Sequence, residues 1–184
     1  VSVWLVSQTL QPMLFNALIK GPTDKKHPPY TLWGLIKSIF AFSYFLFGAL
    51  LLTAIGIVLL KILPFNRKKM KLAYHRVIST FVGSLIYIMG NVKKQIFNVH
   101  GENFSKPAVI IANHLSFLDI LAIGMLNPKL IFLTNKWVWN SPVFGFVVRM
   151  ADYYPVADGA ENSVERLAAC VKDGYSIVIF PEGT

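Results

Sequence analysis

Residues 108–121, AVIIANHLSFLDIL, and residues 175–184, YSIVIFPEGT, each open with a short apolar run and close on polar groups. A Val- and Ile-rich run of this length, bounded by loop residues and an amphipathic stretch, predicts a buried strand feeding a helix. The alternation continues outward, with strands predicted at 96–99, 108–112, 130–134, 153–157 and 175–180 and helices at 116–125, 141–151 and 162–173. In the last helix Val164, Leu167, Ala168 and Val171 share one face, Asn162 and Glu165 form an N-terminal cap pair, and Gly174 is the terminator. Such alternation implies an α/β fold, a largely parallel sheet flanked by helices.

Upstream the pattern changes. Residues 38–60, SIFAFSYFLFGALLLTAIGIVLL, are 23 uncharged residues, long enough at about 1.5 Å per residue to cross a hydrocarbon core of roughly 30 Å. Lys37 precedes them and Lys61, Arg67, Lys68, Lys69 and Lys71 follow, a bias that orients the C-terminal side toward the cytoplasm. A second apolar run, 77–91, is short for a crossing and reads either as an interfacial or re-entrant helix or as a buried core helix. Residues 1–19 carry no charge and suit the tail of an upstream membrane helix, and 20–30 read as a linker. The expected division is 1–30 for that tail and linker, 31–94 for membrane-anchoring helices, and 95–184 for the catalytic α/β domain. With Val1 at its start and a strand just before Thr184, the chain reads as a fragment, its domain incomplete at the C-terminus.

Charge separates the same regions. The 184 residues carry a net charge of +9, a 54% hydrophobic composition and a mean hydropathy of +0.52. Residues 1–100 hold 12 Lys and Arg and one acid, Asp24, whereas 101–184 hold 6 bases and 8 acids. Positive charge beside apolar runs points to anionic headgroups and argues against nucleic acid as a partner. Cys170 is the only cysteine, which excludes an internal disulfide or a thiolate metal cluster and suits a reducing, cytoplasm-facing catalytic part. His27, His75 and His100 lack metal-ligand spacing and read as surface residues.

The chemistry concentrates on Asn113, His114 and Asp119. In one continuous helix the five-residue step from His114 to Asp119 is about 500°, which leaves the two side chains some 140° apart. If Ser116 caps the helix, His114 falls in the preceding loop and Asp119 in the first turn, and the imidazole can reach the carboxylate. An Asp bonded to one ring nitrogen leaves the other free to take a proton from an alcohol. The competing reading is a capping box of Ser116 and Asp119 with no catalytic role. Pro181, Glu182, Gly183 and Thr184 follow another strand, and ligands in such sheets bind outside the strands' carboxyl ends. Two polar clusters then share one rim.

Together these motifs resemble the lysophospholipid acyltransferase family, which includes the 1-acylglycerol-3-phosphate acyltransferases. Its N-H-x-x-x-x-D motif matches Asn113, His114 and Asp119, and its F-P-E-G-T motif matches Phe180 to Thr184. Between them, NKWVWNSPVFG resembles a family stretch through Lys136, Pro142 and Gly145. The resemblance covers about residues 65–184 and implies a glycerolipid acyltransferase-like fold. It implies that His114 deprotonates an acceptor hydroxyl on a lysolipid, that Asp119 orients the ring, and that Asn113, Lys136, Pro181, Glu182, Gly183 and Thr184 bind substrate. The implied co-substrate is acyl-CoA or acyl carrier protein at a lipid bilayer, with no metal, no other cofactor and no covalent acyl-enzyme.

One position departs from the family pattern. Members with phosphate-bearing acceptors usually place an Arg in a second motif, where this chain reads YYPVADGAENS with Asp158. A carboxylate there repels a phosphate that an Arg fork would bind. The acceptor is therefore either a lyso-aminolipid without a phosphomonoester or a phosphate acceptor served by Arg149 through a shifted loop. Trp137 and Trp139 read as acyl-channel, membrane-interface or core residues. A rival reading makes the chain a non-catalytic lipid-binding appendage of a multi-span lipid exporter.

Overall fold

A computed structural model describes residues 32–88, 104–113, 117–155 and 160–181. Helix α1, Leu32–Ile57, runs on through a π-helical turn, Val58–Ile62, and is followed by α2, Arg67–Ile88. Then come β1 (Val109–Ile111), α3 (Phe117–Gly124), β2 (Leu130–Thr134), α4 (Lys136–Trp139), α5 (Gly145–Met150), β3 (Tyr154–Pro155), α6 (Ala160–Lys172) and β4 (Ser176–Ile179).

The four strands form one sheet in the order β1-β4-β2-β3, and every neighbouring pair is parallel, as the strand and helix alternation implies. Ile111 pairs with Ile179 and Phe132 with Val178, so β1, β4 and β2 end at nearly the same level. Ile110, Phe132 and Val178 pack with Ile123 of α3 on one face, and Ile131 and Tyr175 pack with Cys170 of α6 on the other. In β2 and β4, burial on both faces is why the strands read as continuous apolar runs without alternation. At the foot of the sheet, Ser176 Oγ accepts from the Ala108 N–H at 3.2 Å and the Ser176 N–H donates to the Lys129 carbonyl at 2.9 Å. The one buried hydroxyl within β4 is thus paired, as burial demands.

A sheet ending at residue 180 suggests an open apolar edge there, but β4 lies between β1 and β2. Among the described residues the edges are β1 and β3, and on one face of β1 the Val109 and Ile111 side chains are exposed. The 96–99 strand lies outside the described residues, and of 153–157 only Tyr154–Pro155 is strand, with 156 and 157 also outside. The last helix begins at Ala160, so Asn162 sits inside it and does not cap it. It ends as expected, with Gly174 at φ 86°, a left-handed value that favours glycine. The 141–151 stretch forms a helix only over Gly145–Met150, and Lys136–Trp139 forms a short helix capped by the Asn135 side chain.

Up to Ile88 the 77–91 run belongs to helix α2, which packs one face into the core. The helix starts ten residues earlier, and its Tyr74, Ile78, Leu85 and Ile86 are buried against α1, α3 and α5, so the run up to Ile88 is a core helix. Ser79 Oγ donates to the Gly124 carbonyl at 2.9 Å and satisfies the end of α3. His75 shares that buried face at 2% exposure, which corrects its reading as a surface residue. It lies one turn before Ile78 and two before Val82, a periodicity hidden when the apolar run is counted from residue 77. Residues Gly34–Ile62 form a helix of 29 residues long and apolar enough to cross a membrane. Two lysines that follow it turn to the α/β layer instead: Lys68 pairs with Asp173 at 2.6 Å and Lys71 with Asp152.

Candidate active site

Parallel strands point their carboxyl ends the same way, and the candidate residues gather there. Ala112 continues the ladder through its N–H to the Ile179 carbonyl at 3.1 Å. Asn113 follows, half-buried, and by the same register Pro181 of the β4 exit and Asn135 of the β2 exit stand at its level. Lys136, the first residue of α4, lies one step further and is exposed. Asp119 occupies the first turn of α3, where the helix dipole favours a carboxylate, and is half-buried. His114, Glu182, Gly183 and Thr184 lie outside the described residues, as does Asp158. Asn113, Asp119, Lys136 and Pro181 thus come from three different strand exits and converge on one rim.

The rim holds a residue that the motifs did not single out. Thr134 ends β2 at the level of Phe180, and its Oγ1 is buried with no hydrogen-bond partner. A buried hydroxyl without a partner costs about 1–3 kcal/mol, and this one belongs to the last residue of a strand, at the end of the sheet where ligands bind in such folds. No sequence signal marks it, because a Thr at a strand end is common. Trp137 beside the rim is 73% exposed, so it is not a core residue, while Trp139 stacks on Tyr154 at 6.4 Å. Arg149 Nη1 donates to the Trp139 carbonyl at 2.7 Å, and its guanidinium lies over the Phe146 ring.

Strong electrostatic perturbation lies elsewhere, at the amino-terminal ends of the strands. His75 is packed among Tyr153 and Tyr175, and its Nε2 has no hydrogen-bond partner. Burial first and the charge of Lys71 second bring its pKa down to about 4, with Asp152 opposing in part. Burial also raises the Tyr153 and Cys170 groups. These are structural groups, a strand's length from the rim.

The parallel sheet with its polar rim is an α/β domain, and residues 96–184 match the family model described as Acyltransferase. It is 34% identical over 107 residues to the 1-acyl-sn-glycerol-3-phosphate acyltransferase of Cocos nucifera, a match covering 54% of this chain and 33% of that protein. It is 36% identical over 89 residues to the lyso-ornithine lipid O-acyltransferase of Pseudomonas aeruginosa, covering 47% and 34%. A 1-acyl-sn-glycerol-3-phosphate acyltransferase of Chlamydomonas reinhardtii aligns at 26% identity over 176 residues, covering 88% and 50%. The chain therefore spans a third to a half of the length of these relatives. No solved structure matches.

Proposed function

We propose that the protein is a membrane-bound lysolipid O-acyltransferase of lipid biosynthesis, its catalytic part facing the cytoplasm. His114 takes the proton of the acceptor hydroxyl as its oxygen attacks the thioester carbonyl of acyl-CoA or acyl carrier protein. The tetrahedral intermediate collapses with loss of the thiolate, which receives that proton from the imidazolium. Asp119 holds the ring in the required tautomer, and Asn113, Lys136, Pro181, Glu182, Gly183 and Thr184 line the site. The observation that carries this reading is the convergence of Asn113, Asp119 and Pro181 at the carboxyl ends of adjacent parallel strands, inside a stretch matching the acyltransferase family.

For the acceptor we propose a lyso-aminolipid. Asp158 stands about where the family pattern would place a phosphate-binding Arg, and the chain is similar to a lyso-ornithine lipid O-acyltransferase as well as to 1-acyl-sn-glycerol-3-phosphate acyltransferases. Arg149, the alternative anion partner, has one of its N–H groups engaged by the Trp139 carbonyl.

The test is acyl transfer by the full-length protein with a lyso-ornithine lipid and with lysophosphatidic acid as acceptors. His114→Ala should lower turnover by at least about 10²- to 10⁴-fold, the usual worth of general-base catalysis. Wild-type turnover in that variant would end the mechanism. A clear preference for lysophosphatidic acid would end the acceptor assignment alone.

A further inference from the structure

The amino-terminal ends of β2 and β4 carry a cavity that the proposed reaction does not use. Its volume is about 200 Å³, and Lys68, Lys69, Lys71, Lys129, Asp173 and Tyr175 stand around it. Three separate stretches of chain bring them there. Lys68, Lys69 and Lys71 lie on the first turns of α2, Lys129 immediately precedes β2, and Asp173 and Tyr175 come from the connection between α6 and β4. Leu130 pairs with Ser176, so Lys129 and Tyr175 stand at one level of neighbouring strands. The polar rim lies at the other end of the sheet, about 16 Å away along the five residues of β2 at about 3.3 Å each.

Four ammonium groups around one cavity repel one another, and the acids beside them do not balance the charge. Asp173 takes Lys68 at 2.6 Å and Asp152 takes Lys71, which also lies over the Tyr175 ring at 5.1 Å. Lys69 and Lys129 have no carboxylate partner among the described residues, so two positive charges are left over. A Cβ at Gly174 would stand 3.4 Å from Lys129 Nζ, which places that ammonium over the turn between Asp173 and Tyr175. The first backbone donors of α2 are already engaged, because the Lys68 and Lys69 N–H groups donate to the Asn66 side-chain oxygen at 3.0 and 3.4 Å. Side-chain ammonium groups therefore supply the hydrogen bonds here, and the helix dipole adds positive potential in the same place.

We propose that this cavity is an anion site for a phosphate monoester, held by Lys69 and Lys129 and flanked by the paired Lys68 and Lys71. Such a group carries about −1.5 to −2 charges at neutral pH, which matches the two ammonium groups left without a carboxylate. The acid on the cavity wall, Asp173, is already neutralised by Lys68. Bound there, the anion ties α2 to the starts of β2 and β4 and stabilises the folded chain by mass action. A soluble phosphate compound and a phosphate-bearing lipid headgroup present the same chemistry. The site is separate from the acceptor's, so it stands whether or not the enzyme assignment does.

The test is the thermal unfolding midpoint of the full-length protein, titrated in detergent with inorganic phosphate against sodium chloride of equal ionic strength, and in phosphatidylcholine vesicles holding phosphatidic acid against phosphatidylglycerol. A saturable rise with free phosphate assigns a soluble ligand, and a rise confined to phosphatidic acid, the monoester, assigns a lipid headgroup; either supports the site. In the arm that responds, the double variant Lys69→Gln/Lys129→Gln should weaken the apparent affinity about 100-fold, at about tenfold for each charge-assisted hydrogen bond lost. Lys61→Gln/Lys106→Gln removes as many charges from exposed positions outside the cavity and should keep the affinity within about twofold. No phosphate-dependent rise in either arm, or an equal loss of affinity in the two double variants, overturns the proposal.

Discussion

His75 makes the protein's stability depend on pH in a way that can be worked out from its surroundings. The ring is buried between α2 and the sheet, and its pKa falls from the ordinary 6.5 to about 4. Between those values the unfolded chain binds a proton that the folded chain refuses, so stability rises with pH across that window. The contribution is complete above about pH 6.5 and is lost as the pH falls toward 4. At 1.36 kcal/mol per pKa unit the difference is about 3 kcal/mol, a large share of the 5–15 kcal/mol typical of a domain. His75→Phe keeps an aromatic ring beside Tyr153 and Tyr175 and removes both the titration and the partnerless Nε2. Urea unfolding of detergent-solubilised protein, followed by tryptophan fluorescence at pH 7.5 and pH 4, should show the wild type losing about 3 kcal/mol more than His75→Phe. Parallel losses in the two proteins would refute the reasoning.

Three further outcomes follow from other positions. Asp152 sits at φ 51° and pairs with Lys71; Asp152→Asn should cost about 1 kcal/mol for the half-exposed ion pair, and Asp152→Ala about 1 kcal/mol more because alanine tolerates the left-handed backbone less well, both read by urea titration. Gly174→Ala, at φ 86° after α6, should lower stability by about 1 kcal/mol and the melting temperature by several degrees; an unchanged melting temperature would contradict the backbone assignment. Thr134→Val removes a hydroxyl that has no partner in the fold, so unfolding should show no loss of stability, while acyl transfer should fall about tenfold if Oγ1 meets the substrate; unchanged kinetics would make Thr134 a packing residue.

Local pattern was enough for the elements whose burial is set by neighbours in sequence. Leu130–Leu133 and Ile177–Ile179 are apolar on consecutive positions, as suits strands covered on both faces, whereas Val109–Ile111 reads the same way with one face exposed. The α/β class, the helix before Gly174 and the membrane-length apolar helix were legible for the same reason, as were the motifs at Asn113 and Phe180 that carry the family resemblance.

Position across the sheet was not legible, because it depends on contacts between segments far apart in sequence. That β4 inserts between β1 and β2 follows from pairing residues 109–111 with 177–179 and 130–132 with 176–178, and no local signal encodes that choice. The same non-local packing buried His75, turned Lys68 and Lys71 toward Asp173 and Asp152, and left Thr134 Oγ1 without a partner. It also divided α1 into a covered and an open face. The amino-acid sequence by itself determined which segments are apolar enough to leave water; only the tertiary structure decided whether protein covers them, since burial on one flank of a uniformly apolar helix is a property of its neighbours.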